Sequence, residues 1–170
     1  RYVAACDVNG PKLAEVRQRI VAKYAEDSTK AGNPDCAAYR DFREMLLRDD
    51  LDAVVIATPD HWHAPISIYA AQAGKDIYCE KPMTLTIREG RLMVEAVRKY
   101  NRVFQCGSQQ RSQAENHIGC RLVREGLAGK ISRVIAFNYP SPWECALPAQ
   151  PVPEGLDWDL WCGPTEPAAF

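Results

Sequence analysis

No apolar run in this sequence approaches the roughly 18 residues needed to span a bilayer. Neither charge is in excess: 21 Lys and Arg stand against 22 Asp and Glu, a formal net charge of -1. The first absence excludes a membrane helix; the second excludes a generally basic nucleic-acid binder and an acidic disordered tail. No Cys-x-x-Cys occurs, and the seven cysteines (Cys6, Cys36, Cys79, Cys106, Cys120, Cys145, Cys162) are scattered and odd in number. A zinc or disulfide framework needs regular, paired spacing, so the cysteines read as reduced thiols, and reduced thiols point to the cytoplasm. Arg1 is not followed by a charged and then apolar leader, which leaves export by a removed leader as the alternative. Lys and Arg are missing altogether from 134–170, while seven of the 12 prolines and three of the four tryptophans fall within 140–170. Proline at that density excludes a helix, and the aromatics are too many for a plain linker. The stretch reads as an irregular arm that packs on something.

What is present is strand alternating with helix. Short apolar, β-rich runs occupy 2–6, 53–58, 76–80 and 103–106, and their continuous apolar character predicts strands covered on both faces of a parallel sheet. A weaker strand is predicted at 36–39. After Asn9-Gly10-Pro11, the spacing of Leu13, Val16, Ile20 and Tyr24 predicts a helix. Asp41 is placed to cap a short helix through Leu47, after a turn at 31–35. Pro65 is placed to open a helix that stops at Gly74. Thr86 to Glu89 and Ser112 to Glu115 both have the lettering of a capping box; the second precedes Ile118, Leu122 and Val123. A further strand is predicted at 131–139. The alternation implies right-handed βαβ units and an α/β, doubly wound parallel sheet.

Such a sheet binds its ligand at the carboxyl ends of its strands, so the residues just past each strand are the candidates. Asp7 follows the first. An acid there accepts hydrogen bonds from an adenosine ribose, but Asp before Asn-Gly is also an ordinary turn former. Thr58-Pro59-Asp60-His61-Trp62-His63 follows the next strand. Its His-x-His with a carboxylate suggests a metal only weakly, because no third convergent ligand is visible, and no metal site is expected. The other readings are helix entry, or polar groups and an aromatic face lining a nucleotide. Glu80-Lys81-Pro82 follows the third strand and carries the strongest signal. Lys81 should project its ammonium from the sheet edge, where it could stabilise developing negative charge; a solvated Glu–Lys pair is the bland reading. Pro82 fixes the turn. Gly107-Ser108-Gln109-Gln110-Arg111 follows the fourth strand.

These strand ends, with the runs 52–57, 74–79 and 103–106 before them and the stretch 156–164, resemble the Gfo/Idh/MocA oxidoreductases, relatives of glucose–fructose oxidoreductase and inositol dehydrogenase. The resemblance covers about 2–164. It implies a Rossmann-type dinucleotide-binding domain followed by an α+β substrate and oligomerisation domain. It places Asp7 at the adenosine ribose, favouring NAD over NADP. Thr58, Pro59, Asp60 and His63 would lie along the cofactor, with Trp62 shaping the same wall. Glu80 and Lys81 would lie at the nicotinamide, Lys81 also acting on the substrate as the catalytic residue, and Gln110 would sit beside the ring. The implied reaction moves a hydride between nicotinamide and a carbinol carbon of a sugar, polyol or related metabolite in an intact homo-oligomer.

The sequence departs from the family in two ways. None of its ten glycines forms Gly-x-Gly-x-x-Gly, and no second-domain Asp/His pair is present. The expectation is therefore a fragment: 1–130 a partial dinucleotide-binding domain lacking its first strand and glycine turn, and 131–170 the first strand and arm of a truncated substrate domain. An NAD-dependent glycoside hydrolase of the same fold and a non-catalytic binding or scaffold module are the alternatives.

Overall fold

Several helices begin where a side chain relieves the unsatisfied N–H groups of the first turn. The computed structural model describes residues 1–26, 35–137, 147–166 and 168–170. Asn9 accepts from the Lys12 N–H at 3.0 Å at the start of α1, Gly10–Glu26. Asp41 accepts from the Arg43 N–H at 2.8 Å to open α2, Phe42–Leu46. Thr86 and Glu89 form the expected reciprocal box at α4, Ile87–Lys99. Helix α3, Asp60–Gln72, closes as expected at Gly74, whose N–H donates to Ala71 while that of Lys75 donates to Ala70.

The strands are β1, Ala4–Cys6; β2, Ala37–Tyr39; β3, Ala53–Ile56; β4, Asp76–Glu80; and β5, Phe104–Gly107. All pairings are parallel, in two sheets ordered β1-β2 and β3-β4-β5. The expected α/β, Rossmann-type architecture is therefore present, including the weak strand now seen as β2. Val54, Ile56, Ile77 and Cys79 are buried against Ile66, Ala70 and Ala71 of α3 and Ala96 of α4. Phe42 and Leu46 of α2 join the same core, and Cys6 packs on it.

Four expectations are corrected. Cover on both faces fails for β3: Val54 and Ile56 are buried, but Val55 is 58% exposed. Helix α1 packs on β1 and β2. Helix α3 starts at Asp60, five residues before Pro65. The missing Pro65 N–H costs the first turn one bond, but the side chains of His61, Trp62 and His63 in that turn are all held by carbonyls elsewhere in the chain. The second capping box does not form. Ser112 ends a 3-10 turn, Gln109–Ser112, so Gln113 takes the cap position of α5, Ala114–Arg124, without a side-chain bond. Finally, 131–137 carries no strand. The rest of that run, the turn at 31–34 and Cys145 lie outside the described residues.

The chain divides into two compact units, Arg1–Gly107 with Gln150–Phe170, and Ser108–Ala149. In the second unit Ile118, Leu122 and Val123 of α5 are all exposed. In the first, the arm of prolines and tryptophans packs on the chain itself. Asn9 bridges Leu156, the Gly10 N–H donates to Gly155, and the Asp157 N–H donates to Val8. None of the six described cysteines is in a disulfide. No helix among the described residues is long and apolar enough to cross a membrane.

Candidate functional site

The carboxyl ends of β1 and β3 meet at one short helix of the arm, α6, Trp158–Cys162. Asp157 caps it by accepting from Leu160 at 2.9 Å, and the same residue's N–H holds Val8, just past β1. His61 and Trp62, just past β3, reach the other side of α6. His61 Nε2 contacts the Trp161 carbonyl at 2.8 Å, and Trp62 Nε1 donates to the carbonyls of Leu160 at 3.0 Å and Trp161 at 3.2 Å. Phe42, past β2, meets the Trp62 ring edge-on at 5.4 Å. Gly163 closes the joint. Its backbone runs so close to Trp62 that a β-carbon would stand 2.1 Å from the indole, and its φ of 54° is one that only glycine adopts cheaply.

Lys81 directly follows β4, as its position after an apolar strand predicts. It is exposed, and its ammonium has no hydrogen-bond or ion-pair partner among the described residues. The bland Glu80–Lys81 pair is absent: the Glu80 carboxylate turns back to accept from the Lys81 backbone N–H at 3.3 Å. It lies across Gly107, its register partner on β5, where a β-carbon would approach Glu80 Oε2 to 2.8 Å. The Lys81–Pro82 peptide bond is cis. An unpaired ammonium at a sheet edge can donate to a hydroxyl or carbonyl oxygen, hold a proton there and stabilise negative charge as it develops.

His63 is only 1% exposed. Its Nδ1 lies 2.6 Å from the Pro82 carbonyl and its Nε2 lies 2.9 Å from the Thr58 carbonyl. Both ring nitrogens therefore face carbonyls of the protein. The indole N–H of Trp62 is likewise spent on α6. Thr58 and Asp60 are exposed, and Pro59 caps α3 with its carbonyl accepting from the Trp62 N–H at 2.9 Å.

Asp7 makes the turn that its place before Asn-Gly predicts. One carboxylate oxygen accepts from the Asn9 N–H at 2.8 Å, making the turn, while the other has no partner among the described residues. Beside it, burial pushes the Cys6 thiol up to about 12, helped by the negative charges of Asp41, Asp7 and Glu44. Gln110 belongs to the second unit, where its carbonyl accepts from Asn116 at 2.7 Å.

Two residues of this edge, Arg40 and Gly163, were not singled out from sequence. Arg40, one residue past β2, donates from Nη2 to the carbonyls of Val8 and Gly155, both at 2.9 Å, and so ties the arm to β1. A charged residue past a strand was the available signal; the strand itself was too weak to draw attention to it. Gly163 carries no local signal at all. Among the described residues no group of three or more His, Cys, Asp or Glu could hold a metal.

Among the described residues this edge carries an acid with one open oxygen past β1 and an unpaired ammonium past β4. Residues 2–108 match the oxidoreductase family with an NAD-binding Rossmann fold, Gfo/Idh/MocA. The chain is 38% identical over 114 residues to the levoglucosan dehydrogenase of Pseudarthrobacter phenanthrenivorans, covering 66% of this chain and 28% of that protein. It is 29% identical over 133 residues to the alpha-N-acetylgalactosaminidase of Shewanella oneidensis, covering 74% of this chain and 29% of that one. The scyllo-inositol dehydrogenase of Lactobacillus casei, solved with bound NAD(H) and scyllo-inositol, superposes with a TM-score of 0.59 at 25% identity, covering 78% of this chain and 35% of that chain. The chain thus spans under a third of the length of these curated relatives. With the strand ends, the parallel sheets and a family match over more than half its residues all in agreement, this chain belongs to the Gfo/Idh/MocA oxidoreductase family.

Proposed function

We propose that the protein works as an NAD-dependent oxidoreductase on a carbinol carbon of a sugar, polyol or related small metabolite. The observation that carries this reading is the Lys81 ammonium, exposed and unpaired at the end of β4 in a chain with an NAD-binding family fold. Nicotinamide, when bound, supplies or accepts the hydride. Lys81 polarises the reacting oxygen and stabilises its negative charge. Glu80, folded over Gly107, shapes the floor beside it. Asp7 receives the adenosine ribose with its open oxygen and disfavours a 2′-phosphate, which selects NAD over NADP. Thr58, Pro59 and Asp60 line the remaining path, while Trp62 supports that wall from behind.

On the same reading 131–170 opens the substrate domain, with the Gln150–Phe170 arm returning to the first unit, and the intact protein is a homo-oligomer. The absence of disulfides among the described cysteines supports the cytoplasm. The test is to incubate the intact protein with NAD and a panel of sugars and polyols while following NADH. Accumulation of NADH with at least one of them is expected. A second reading draws on the likeness to an alpha-N-acetylgalactosaminidase: release of free sugar from a glycoside with no net NADH would favour it instead.

A further inference from the structure

We propose that His63 is a positioning residue: its ring couples the loop after β3 to the loop after β4, and this coupling determines where the Lys81 ammonium lies. The last ladder pair between the two strands is Ile56 with Cys79. Beyond it β3 leaves the sheet, β4 runs one residue further to pair Glu80 with Gly107 of β5, and Thr58, Lys81, Pro82 and Met83 are all exposed. Backbone there has no ladder to hold it. The His63 ring replaces the ladder, with one nitrogen on the carbonyl of Thr58 and the other on that of Pro82, the residue after Lys81. A carbonyl oxygen can only accept, so each contact needs a ring N–H. A neutral imidazole offers one, and the doubly protonated ring satisfies both carbonyls together. The ring is buried, and it stands on a helix whose Ile66, Ala70 and Ala71 are in the core and whose Trp62 is wedged against Gly163. It is therefore a rigid strut between two loops that share no other hydrogen bond among the described residues. The catalytic part of this inference rests on the reading of Lys81 above; the coupling itself does not.

The experiment compares the intact wild-type protein with His63→Leu, which keeps bulk but has no donor, and His63→Gln, which keeps an N–H donor. Hydrogen–deuterium exchange reads the coupling without turnover. In His63→Leu the amides of Ala57 and Thr58 and those of Lys81 and Met83 should exchange faster together, by about tenfold or more. In steady-state assays kcat should fall by roughly ten- to 100-fold with the KM for NAD little changed, as for a displaced catalytic group, and His63→Gln should recover much of the loss. Faster exchange at only one of the two loops, or at neither, overturns the coupling. Coupled exchange with unchanged kcat, or no recovery in His63→Gln, overturns the positioning of Lys81. If the wild type oxidises no sugar or polyol, the oxidoreductase reading fails while exchange still decides the coupling. If His63→Leu does not fold, wild-type protein isotope-labelled at histidine decides it: a His63 ring N–H protected from solvent supports the strut, and a freely exchanging ring overturns it.

Discussion

In the three-stranded sheet Ile56, Ile77 and Cys79 are packed out of solvent on α3 and α4, whereas neither β1 nor β2 contains a single fully buried residue. The smaller sheet is held instead by side chains that reach across to backbone carbonyls. Arg17 Nε donates to Cys36 at 2.7 Å, and Arg40 clamps Val8 and Gly155. Both sheets are parallel and their first strands end at the same arm, yet one is stabilised by apolar burial and the other by directed hydrogen bonds. The division suits the work proposed for each. A donor aimed at a developing charge gains most from a preorganised platform. An acid that accepts from a ribose needs only a well-formed turn.

The largest effect that would break this comparison is expected in the packed half. Lys81→Met keeps the stem and removes the ammonium, and should cost about 3–4 kcal/mol, or roughly 100- to 1000-fold in rate. The loss should appear in kcat, with the dissociation constant of NAD changed little. If kcat holds while NAD binding weakens, Lys81 is a cofactor anchor and the packed sheet has no special claim on the chemistry.

The joint between the halves comes next. Gly163→Ala places a methyl inside the van der Waals envelope of Trp62, at a positive φ, and overpacking of this kind costs about 1–3 kcal/mol. Thermal melting should show that loss. An unchanged melting temperature would mean that the arm can lift from Trp62 at little cost.

In the clamped half, Asp7→Asn should narrow the preference for NAD over NADP by about tenfold, or ~1.4 kcal/mol, as the repulsion between carboxylate and 2′-phosphate is lost. The ratio of kcat/KM for the two cofactors measures it. A wild-type preference for NADP would remove Asp7 from the ribose site.

The smallest effect concerns the helix between the sheets. Asp41→Ala should cost about 1 kcal/mol as the cap of α2 is lost. The hydrogen bond from Arg43 holds the Asp41 carboxyl below the ordinary carboxylate range. A lowered folded-state value means that its contribution is present above the unfolded value, near ~3.9, and disappears as pH falls through the folded one. Melting curves of wild type and Asp41→Ala should therefore differ at neutral pH and converge in acid.

Two pairs of features mark where reading the sequence succeeds and where it stops. Thr86 with Glu89 and Ser112 with Glu115 carry the same capping lettering, yet only the first pair forms a box, because Ser112 is already spent in the 3-10 turn before α5. Gly74 and Pro65 are both helix punctuation. Gly74 acts as expected, while Pro65 is overruled by contacts of the turn before it. Asp7, Lys81 and Glu80 were legible because a strand end followed by a charged residue is a local pattern. Arg40 and Gly163 were not, since each matters through an atom far away in sequence.

The order of strands and helices, the caps that start α2 and α4, and the identity of the residues at each strand end follow from the sequence by itself, because periodicity and capping act over three or four residues. Tertiary structure alone decided that the arm folds back onto Val8, His61 and Trp62, through side-chain bonds that span 98 to 100 residues. It also turned His63 inward, onto two carbonyls, and left Lys81 outward with no side-chain partner among the described residues. Contacts at that separation are chosen by which arrangement buries the aromatics and satisfies the polar groups at once, and no short stretch of sequence contains both sides of that choice.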